Sequence, residues 1–295
     1  MATFEGLDEV VDRDYPLGSK TTFGVGGTCK YFARPRTEDE LAEVLGQAEK
    51  AKLQVRVFGW GSNILVRDEG VPGVVVQPDL KGFGQVEVED DLLRAGAAAR
   101  LPKVVEAAAR NRLSGIECLV GIPGTVGGAV KMNAGGAFGD IGQSIERVKV
   151  MDAHGNTFYR ERDDLAFGYR SSNISARFVL EAELRLMPDA EKAILSRMKK
   201  IWIARKNSQP TGASSAGCIF RNPRGMSAGA LIDQAGLKGE SVGGAVVSRK
   251  HANYIVIKGR NKATAADVLE LIDRIRKAVK ERFDVYLELE IGVWP

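Results

Sequence analysis

The sequence predicts an α+β protein of two or three domains, and three observations carry that prediction. The 295 residues exceed the ~100–200 of an ordinary single domain. Helix-periodic and strand-alternating segments mix along the chain, and the C-terminal segment joins one long amphipathic helix to a strand. Hydrophobic residues at 44% and charged residues at 27% fit a folded globular chain and exclude a disordered or fibrous one. Residues Met1 to Glu9 carry acid where a signal peptide needs base, and no apolar run approaches the ~20 residues that span a bilayer. The chain is therefore expected in the cytoplasm, without membrane insertion.

The elements follow in order. Thr37-Glu38-Asp39-Glu40 reads as a capping box, after which Leu41, Val44, Leu45 and Ala48 recur at helical spacing. The β-branched runs Val55 to Phe58 and Val74 to Val76 suit short strands flanking a loop at Gly59-Trp60-Gly61-Ser62-Asn63. Pro102 opens a helix through Val104, Val105, Ala108 and Ala109 that stops before Gly115, the proline-first, glycine-last order of helices. From Val148 the pattern becomes strand-like, with a turn at Asp152 to Asn156 and the alternation Leu180, Ala182, Leu184, Leu186. Pro188-Asp189 starts a helix with Ile194, Leu195, Met198, Ile201 and Trp202 on one face, ending near Asn207 to Pro210, where the main domain boundary is placed. A last helix from Thr264 aligns Val268, Leu271, Ile272, Ile275 and Val279, and a strand runs from Val285 to Ile291.

Composition narrows the chemistry. Cys29, Cys118 and Cys218 are odd in number and far apart, and the only histidines are His154 and His251, so no disulfide framework or local metal site is expected. A net charge of +4 without a dense basic block argues against nucleic acid and suits small anions. Glycine is the outlier, with 34 residues against the ~7% of average chains, and it is clustered. In Gly59-Trp60-Gly61-Ser62-Asn63 the missing Cβ atoms let backbone N–H groups converge as a pyrophosphate requires. The second cluster, Gly121-Ile122-Pro123-Gly124-Thr125-Val126-Gly127-Gly128, continues into Asn133-Ala134-Gly135 and opens a long backbone path to a flat ligand. Either loop alone also reads as ordinary turns and close packing. Neither is a Walker A loop or a Rossmann fingerprint, which leaves a dinucleotide site built by two separated loops.

Taken together, Thr21 to Gly27, Gly61-Ser62-Asn63, Gly121 to Gly128, Met132 to Gly135, Tyr169-Arg170-Ser171-Ser172, Gly217 to Pro223, Lys250 to Asn253 and Leu287 to Glu290 resemble the UDP-N-acetylenolpyruvoylglucosamine reductase family over nearly the whole chain. The resemblance implies the FAD-binding fold of the vanillyl-alcohol oxidase, or PCMH, type in two subdomains (1–76 and 77–203), followed by an α+β substrate-binding domain (204–295). Arg177-Phe178-Val179 follows the Tyr169 motif too closely for the long tyrosine-bearing insertion of one branch, so the chain resembles the shorter, second type. The implied reaction passes hydride from NADPH through FAD to the enolpyruvyl ether of a UDP-sugar, in peptidoglycan precursor synthesis. Such a site needs cations or donors at the substrate carboxylate and one acid at the adjacent carbon.

The resemblance assigns FAD to Gly59, Gly61, Ser62, Asn63, Gly121, Pro123, Gly124, Thr125, Gly127, Gly128, Asn133, Ala134 and Gly135. It makes Arg170 the residue that grips the carboxylate with a permanently charged fork, although a surface arginine after a strand reads the same way. Glu290 is the implied catalytic glutamate; alternation alone puts it with Tyr286 and Glu288 on a solvated face. Cys218 stands where much of the family has a proton-donating serine. In isolation a free cysteine reads as a small buried hydrophobe, yet a thiol of reference pKa ~8.5 is far more acidic than a hydroxyl. Lys206, Asn222 and Lys250 match substrate or phosphate contacts, and Lys206 also suits a helix C-terminus. No acid or base role is assigned to His251, and a monomer is expected.

Three positions depart from the pattern. Phe23-Gly24-Val25 lacks an expected basic residue, Trp60 replaces a small residue in the pyrophosphate loop, and Gly292 stands where an arginine is usual. The alternatives are another FAD-dependent sugar or lactone oxidoreductase of the same fold, which would not need the Cys218, Asn222 and Glu290 motifs, or a flavin-binding module without turnover.

Overall fold

The structure, a computed structural model, describes residues 4–259 and 263–295. Two compact units share the chain. One takes in the described residues of Met1–Arg13, Tyr31–Trp60 and Gly73–Ala204, and the other those of Asp14–Lys30, Gly61–Pro72 and Arg205–Pro295.

In the first unit the runs Val55–Val57 and Val71–Val76 pair in parallel, with Val55 opposite Val74. They belong to a four-stranded sheet ordered Val11–Tyr15, Cys29–Ala33, Val71–Val76, Val55–Val57. The helix Glu38–Lys50 buries Leu41, Val44, Leu45 and Ala48 against Tyr31, Val74 and Val76 of that sheet. Its N-terminus differs from the expected box in one contact. Thr37 Oγ1 accepts from Glu40 N at 3.1 Å, but the Glu40 carboxylate accepts from Arg36 N at 2.6 Å and not from Thr37.

A second, antiparallel sheet is ordered Thr157–Glu161, Ile145–Met151, Phe178–Arg185, Leu92–Gly96, Val86–Glu89. Leu180, Ala182, Leu184 and Leu186 are all buried, as their alternation requires. The helices Leu101–Arg110 and Val126–Lys131 complete this core with Val104, Val105, Ala108, Val126 and Ala129. One charge is buried at its centre. Glu183, 4% exposed, accepts from Arg94 Nε at 2.8 Å and from Arg147 Nε and Nη2 at 2.8 Å. The Arg147 hydrogen bonds, reinforced by Arg94, hold its carboxyl below the usual range.

The second unit is built on the helix Ala265–Phe283. Thr264 and Asp267 form a reciprocal capping box, and the Asp68 carboxylate accepts from Ala265 N and Ala266 N at 3.0 and 2.9 Å, an anion at the positive helix end. Val268, Leu271, Ile272, Ile275 and Val279 are buried, and full burial of such a side chain is worth roughly 2 kcal/mol. They face an antiparallel sheet of Ser241–Val242, Ala245–Val247 and Ile255–Ile257.

Two expectations are corrected. In the helix Glu191–Ser208, Ile194 and Ile201 are buried, but Leu195 and Trp202 are 48% and 45% exposed, so its apolar stripe is narrower than the sequence suggests. No continuous strand forms from Val285 to Ile291. Asp284 ends the preceding helix at φ 56°, and the chain then makes one antiparallel bridge, Phe220 to Leu289, before Gly292–Trp294 pairs in parallel with Ile64–Val66. The alternation survives in burial: Leu287 and Ile291 are buried and Tyr286 is 62% exposed. Glu290 is half-buried and only partly solvated.

A side chain supplies what main chain lacks at this edge. Asn253, 2% exposed, accepts from Phe220 N at 2.9 Å and donates Nδ2 to Phe220 O at 2.8 Å, while its own carbonyl accepts from Ile219 N at 2.9 Å. The Asn253 amide thereby stands in for a neighbouring strand.

Two stability measurements test these contacts. Glu183→Ala leaves two partly exposed guanidinium groups facing each other, and urea unfolding should show a loss of about 2 kcal/mol. The wild-type margin over this variant should be full above the unfolded carboxyl pKa of about 4.3 and should disappear as pH falls through the depressed folded value. Asn253→Asp exchanges the amide donor for an acceptor against the Phe220 carbonyl and should cost about 2 kcal/mol in the same assay.

Candidate active site

Within the first unit, Gly59 of the first glycine cluster meets Thr125 of the second. A Cβ added to Gly59 would lie 2.8 Å from Thr125 Oγ1, so only glycine allows this approach. Main-chain bonds support the second loop: Leu101 N donates to Gly124 O at 3.1 Å and Val126 N to Ala99 O at 2.9 Å. Thr125 caps the helix Val126–Lys131, with Oγ1 accepting from Gly128 N at 3.5 Å. Gly121 and Gly124 turn the chain at φ 79° and 143°. Among the described residues, the N–H groups of Gly59, Trp60, Gly124 and Thr125 donate to no protein acceptor. Backbone donors without Cβ cover are the chemistry a pyrophosphate takes, so this pair of loops fits a dinucleotide. Trp60 adds a feature its position did not suggest. Its ring is 38% exposed, and the Arg100 guanidinium carbon lies 3.4 Å from the ring centroid.

Further along the same cluster the side chains are structural. Asn133 is buried, accepts from Gly142 N at 3.0 Å and donates Nδ2 to Gly168 O at 3.0 Å, and its own N–H donates to Val130 O at 3.3 Å. Ala134 is held by Ala129 O and by Ile141 N, and Gly135 pairs with Asp140. A Cβ on Gly127 would come 3.1 Å from the Ala97 side chain; Gly128 and Pro123 are exposed. Asn133 also fixes the hairpin Phe167–Gly168 and Ser171–Ser172, which Ser172 Oγ ties to Lys131 O at 3.0 Å. Arg170 occupies the tip of that hairpin at φ 53°, with its guanidinium 5.3 Å from the Tyr169 ring centroid.

The second unit gathers the other candidates. Glu290 N donates to Ile219 O at 2.8 Å and Arg221 N to Glu288 O at 2.9 Å, which sets Cys218 and Glu290 on adjacent segments. Asn63 Nδ2 donates to Glu290 O at 3.1 Å, and Gly292 N donates to Asn63 O at 2.9 Å. Asn63 therefore braces the glutamate with its side chain. Gly61 accepts from Thr22 N at 3.0 Å, and Ser62 is half-buried beside it. Gly24 turns at φ 73° between buried Phe23 and half-buried Val25, and is itself exposed, with open space where a Cβ would stand. A Cβ on Gly292 would make only ordinary contacts, the nearest at 3.6 Å to Trp294 Nε1, so nothing in the structure requires glycine there.

Lys250 Nζ donates to the Lys206 carbonyl at the end of the helix Glu191–Ser208, which joins these two candidates. Asn222 Oδ1 accepts from Ala228 N at 3.0 Å, at the start of the helix Ala228–Gln234. His251 Nδ1 accepts from Asn253 N at 3.2 Å, and burial, with help from Lys238, holds its pKa below the usual value. Two further residues join Cys218 that sequence reasoning missed. Cys218, Arg205 and Glu290 all act electrostatically on the half-buried Tyr254 phenol. Burial first, then Cys218, pushes that phenol well above its ordinary range, with Arg205 opposing. The only signal for Tyr254 was its place directly after Lys250-His251-Ala252-Asn253, and Arg205 was hidden beside Lys206. The structure thus brings Cys218, Glu290, Asn63, Tyr254 and Arg205 together in one unit, and carries Arg170 on the other.

Among the described residues no cluster of three His, Cys, Asp or Glu side chains could hold a metal ion, and no helix is long and apolar enough to cross a membrane. Residues 29–159 match the family described as FAD binding domain, and residues 209–294 match UDP-N-acetylenolpyruvoylglucosamine reductase, C-terminal domain. The UDP-N-acetylenolpyruvoylglucosamine reductase of Moorella thermoacetica is 42% identical over 290 residues, 98% of this chain and 95% of that one. That of Chlamydia muridarum is 38% identical over 287 residues, 97% and 95% of the two chains. The crystal structure of the reductase from Thermus caldophilus superposes with a TM-score of 0.83 at 42% identity, covering 97% of this chain and 99% of that one. Cholesterol oxidase from B. sterolicum, with a TM-score of 0.50 and 14% identity over 64% of this chain and 39% of that one, shares the fold alone. The predicted FAD-binding fold of the oxidase type with a C-terminal α+β domain is therefore present, and the chain belongs to the UDP-N-acetylenolpyruvoylglucosamine reductase family.

Proposed function

We propose that this chain is an FAD-dependent oxidoreductase that uses NADPH to reduce the enolpyruvyl ether of UDP-N-acetylglucosamine enolpyruvate, giving UDP-N-acetylmuramate for peptidoglycan synthesis. Full-length identity of 42% to a reductase of that name supports the reaction, and the observation that carries its chemistry here is the main-chain pairing of residues 219–221 with 288–290, which puts Cys218 and Glu290 on neighbouring segments. FAD, when bound, takes hydride from NADPH and delivers it to the enolpyruvyl group. The chain's residues hold the cofactor, grip the substrate and move one proton.

In this reading residues 1–76 and 77–203 hold the flavin and residues 204–295 cover the substrate. The backbone of Gly59, Gly61, Gly121, Gly124, Gly127 and Gly128, with Ser62, Asn63, Pro123 and Thr125, cradles the pyrophosphate, and Asn133, Ala134 and Gly135 extend the wall. Hydride arriving at the methylene carbon leaves negative charge beside the substrate carboxylate. Arg170 binds that carboxylate through two parallel N–H donors and stays charged at any working pH. Glu290 polarises the enolate, as a proton-bearing or hydrogen-bonding group. Cys218 gives its proton to the adjacent carbon. Lys206, Lys250 and Asn222 meet the phosphates of the UDP-sugar. The protein works as a monomer in the cytoplasm, and sedimentation velocity should show one species at the mass of a single chain.

Anaerobic mixing tests the function. The yellow protein should bleach with NADPH and regain its colour, without oxygen, only when UDP-N-acetylglucosamine enolpyruvate is added. A protein that bleaches but recolours with other acceptors instead is a different oxidoreductase of this fold, and one that never bleaches is a binding module. Cys218→Ala should slow substrate-driven recolouring by about 10³-fold, the scale of a lost general acid, while bleaching by NADPH keeps its rate. Cys218→Ser should retain activity. Equal loss in both half-reactions would remove Cys218 from the proton transfer.

A further inference from the structure

Local structure gives no reason for arginine at position 100. It is the N-cap of the helix Leu101–Arg110, and its side chain makes no capping hydrogen bond. A cation there meets the positive end of the helix dipole, where serine, threonine, aspartate or asparagine would stabilise. The side chain turns instead to Trp60. Its guanidinium carbon lies 3.4 Å from the ring centroid, a separation that only flat stacking of the two planes allows. Stacking covers the face of the guanidinium and leaves its N–H edge open, and that edge donates to no protein acceptor among the described residues. Main chain fixes the place of the pair. Arg100 and Thr125 stand opposite each other in an antiparallel bridge framed by Leu101 N to Gly124 O and Val126 N to Ala99 O, which puts both side chains on one side. Thr125 Oγ1 is the atom that a Cβ on Gly59 would strike, and Trp60 follows Gly59. The stacked cation therefore stands beside the N–H groups of Gly59, Trp60, Gly124 and Thr125, which no protein acceptor takes among the described residues.

We propose that Arg100 is a further cofactor-binding residue, giving a fixed positive charge and a donor edge to the pyrophosphate of FAD, and that Trp60 is the residue that positions it. The proposal rests on the reading of the paired glycine loops as the pyrophosphate seat. Both phosphates of a pyrophosphate are anionic, and backbone N–H groups answer them with partial charges only. A guanidinium adds a full charge and binds phosphate oxygens through two parallel donors. An unrestrained arginine would give up the freedom of a long side chain when the cofactor arrives. Against the indole face much of that freedom is already gone, so less is lost on binding. The large ring at position 60, where a small residue is expected, thus has a task in this chain, and its 38% exposure places it at the surface beside the loop it serves.

Dialysis of the holoenzyme to equilibrium, with released FAD read by its absorbance, measures the cofactor dissociation constant. Arg100→Gln removes the charge and should weaken FAD binding about 10-fold, the scale of one charge-assisted hydrogen bond. A loosened loop would weaken binding equally at every ionic strength, whereas a lost charge would not. Raising NaCl from about 0.05 M to about 0.5 M should therefore weaken the wild type more than Arg100→Gln and narrow the gap. Trp60→Leu should show most of the same loss, and Trp60→Phe, which keeps an aromatic face, should recover most of it. The double variant of Trp60→Leu and Arg100→Gln should bind no worse than Arg100→Gln alone. A wild-type constant in Arg100→Gln overturns the proposal, as does a gap that salt leaves unchanged. Additive losses in the double variant would mean that the ring acts on its own, and would overturn the positioning role. An unaltered FAD constant with weakened binding of NADP⁺ would assign the guanidinium to the phosphates of the nicotinamide nucleotide instead. If the wild type retains no flavin, the reading of the loops as a pyrophosphate seat falls as well; equal retention by wild type and Arg100→Gln keeps that reading and removes only Arg100.

Discussion

The constraint on which the C-terminal site depends is the short antiparallel contact between residues 219–221 and 288–290. Hydrogen bonds from Glu290 N to Ile219 O and from Arg221 N to Glu288 O join segments remote in sequence, and they place a thiol and a carboxyl group on neighbouring segments. Closing so long a loop is entropically unfavourable. The contact persists because Ile219, Phe220 and Leu287 are buried in one core with the helix Ala265–Phe283. The neighbouring groups lean on it. Asn253 grips Phe220, and Asn63 grips the Glu290 carbonyl.

Much of the fold was legible because its signals are local. Thr37 and Thr264 announce their helices with caps, and the apolar positions at helical spacing in both are the buried ones. Leu180 to Leu186 alternates and is buried accordingly. The two glycine loops were legible as loops, and their meeting at Gly59 and Thr125 agrees with a site shared between them. What was not legible depends on partners far along the chain. Val285 to Ile291 has the alternation of a strand, but a strand also needs a neighbour along its length, and this segment finds one only at Leu289 before switching to Ile64–Val66. For the same reason Glu290 is half-buried where alternation alone predicts solvent.

The site residues divide along the same line. Cys218, Arg170 and Glu290 were readable only as parts of motifs, since a lone cysteine, arginine or glutamate has an ordinary structural reading. Tyr254 and Arg205 had no motif of their own, and the electrostatic influence of Cys218 and Arg205 on the Tyr254 phenol is a product of tertiary structure. The structure also divides labour among residues that sequence groups together. Asn63 and Asn133 both fall in flavin-loop motifs, yet each directs its side-chain amide to protein: Asn63 to Glu290, and Asn133 to Gly168 and Gly142. Both amides are thus committed to contacts within the protein.

Arg170 carries a consequence of its own. At φ 53° it sits in a conformation that favours glycine or asparagine, at a cost of roughly 1 kcal/mol for a residue with a branched-off side chain. Under the proposed role of Arg170, the turn and the guanidinium ask for different amino acids at one position. Selection for foldability alone would drift this hairpin tip toward glycine, and a descendant that had lost the need for turnover should reveal itself there before its cores or its glycine loops change.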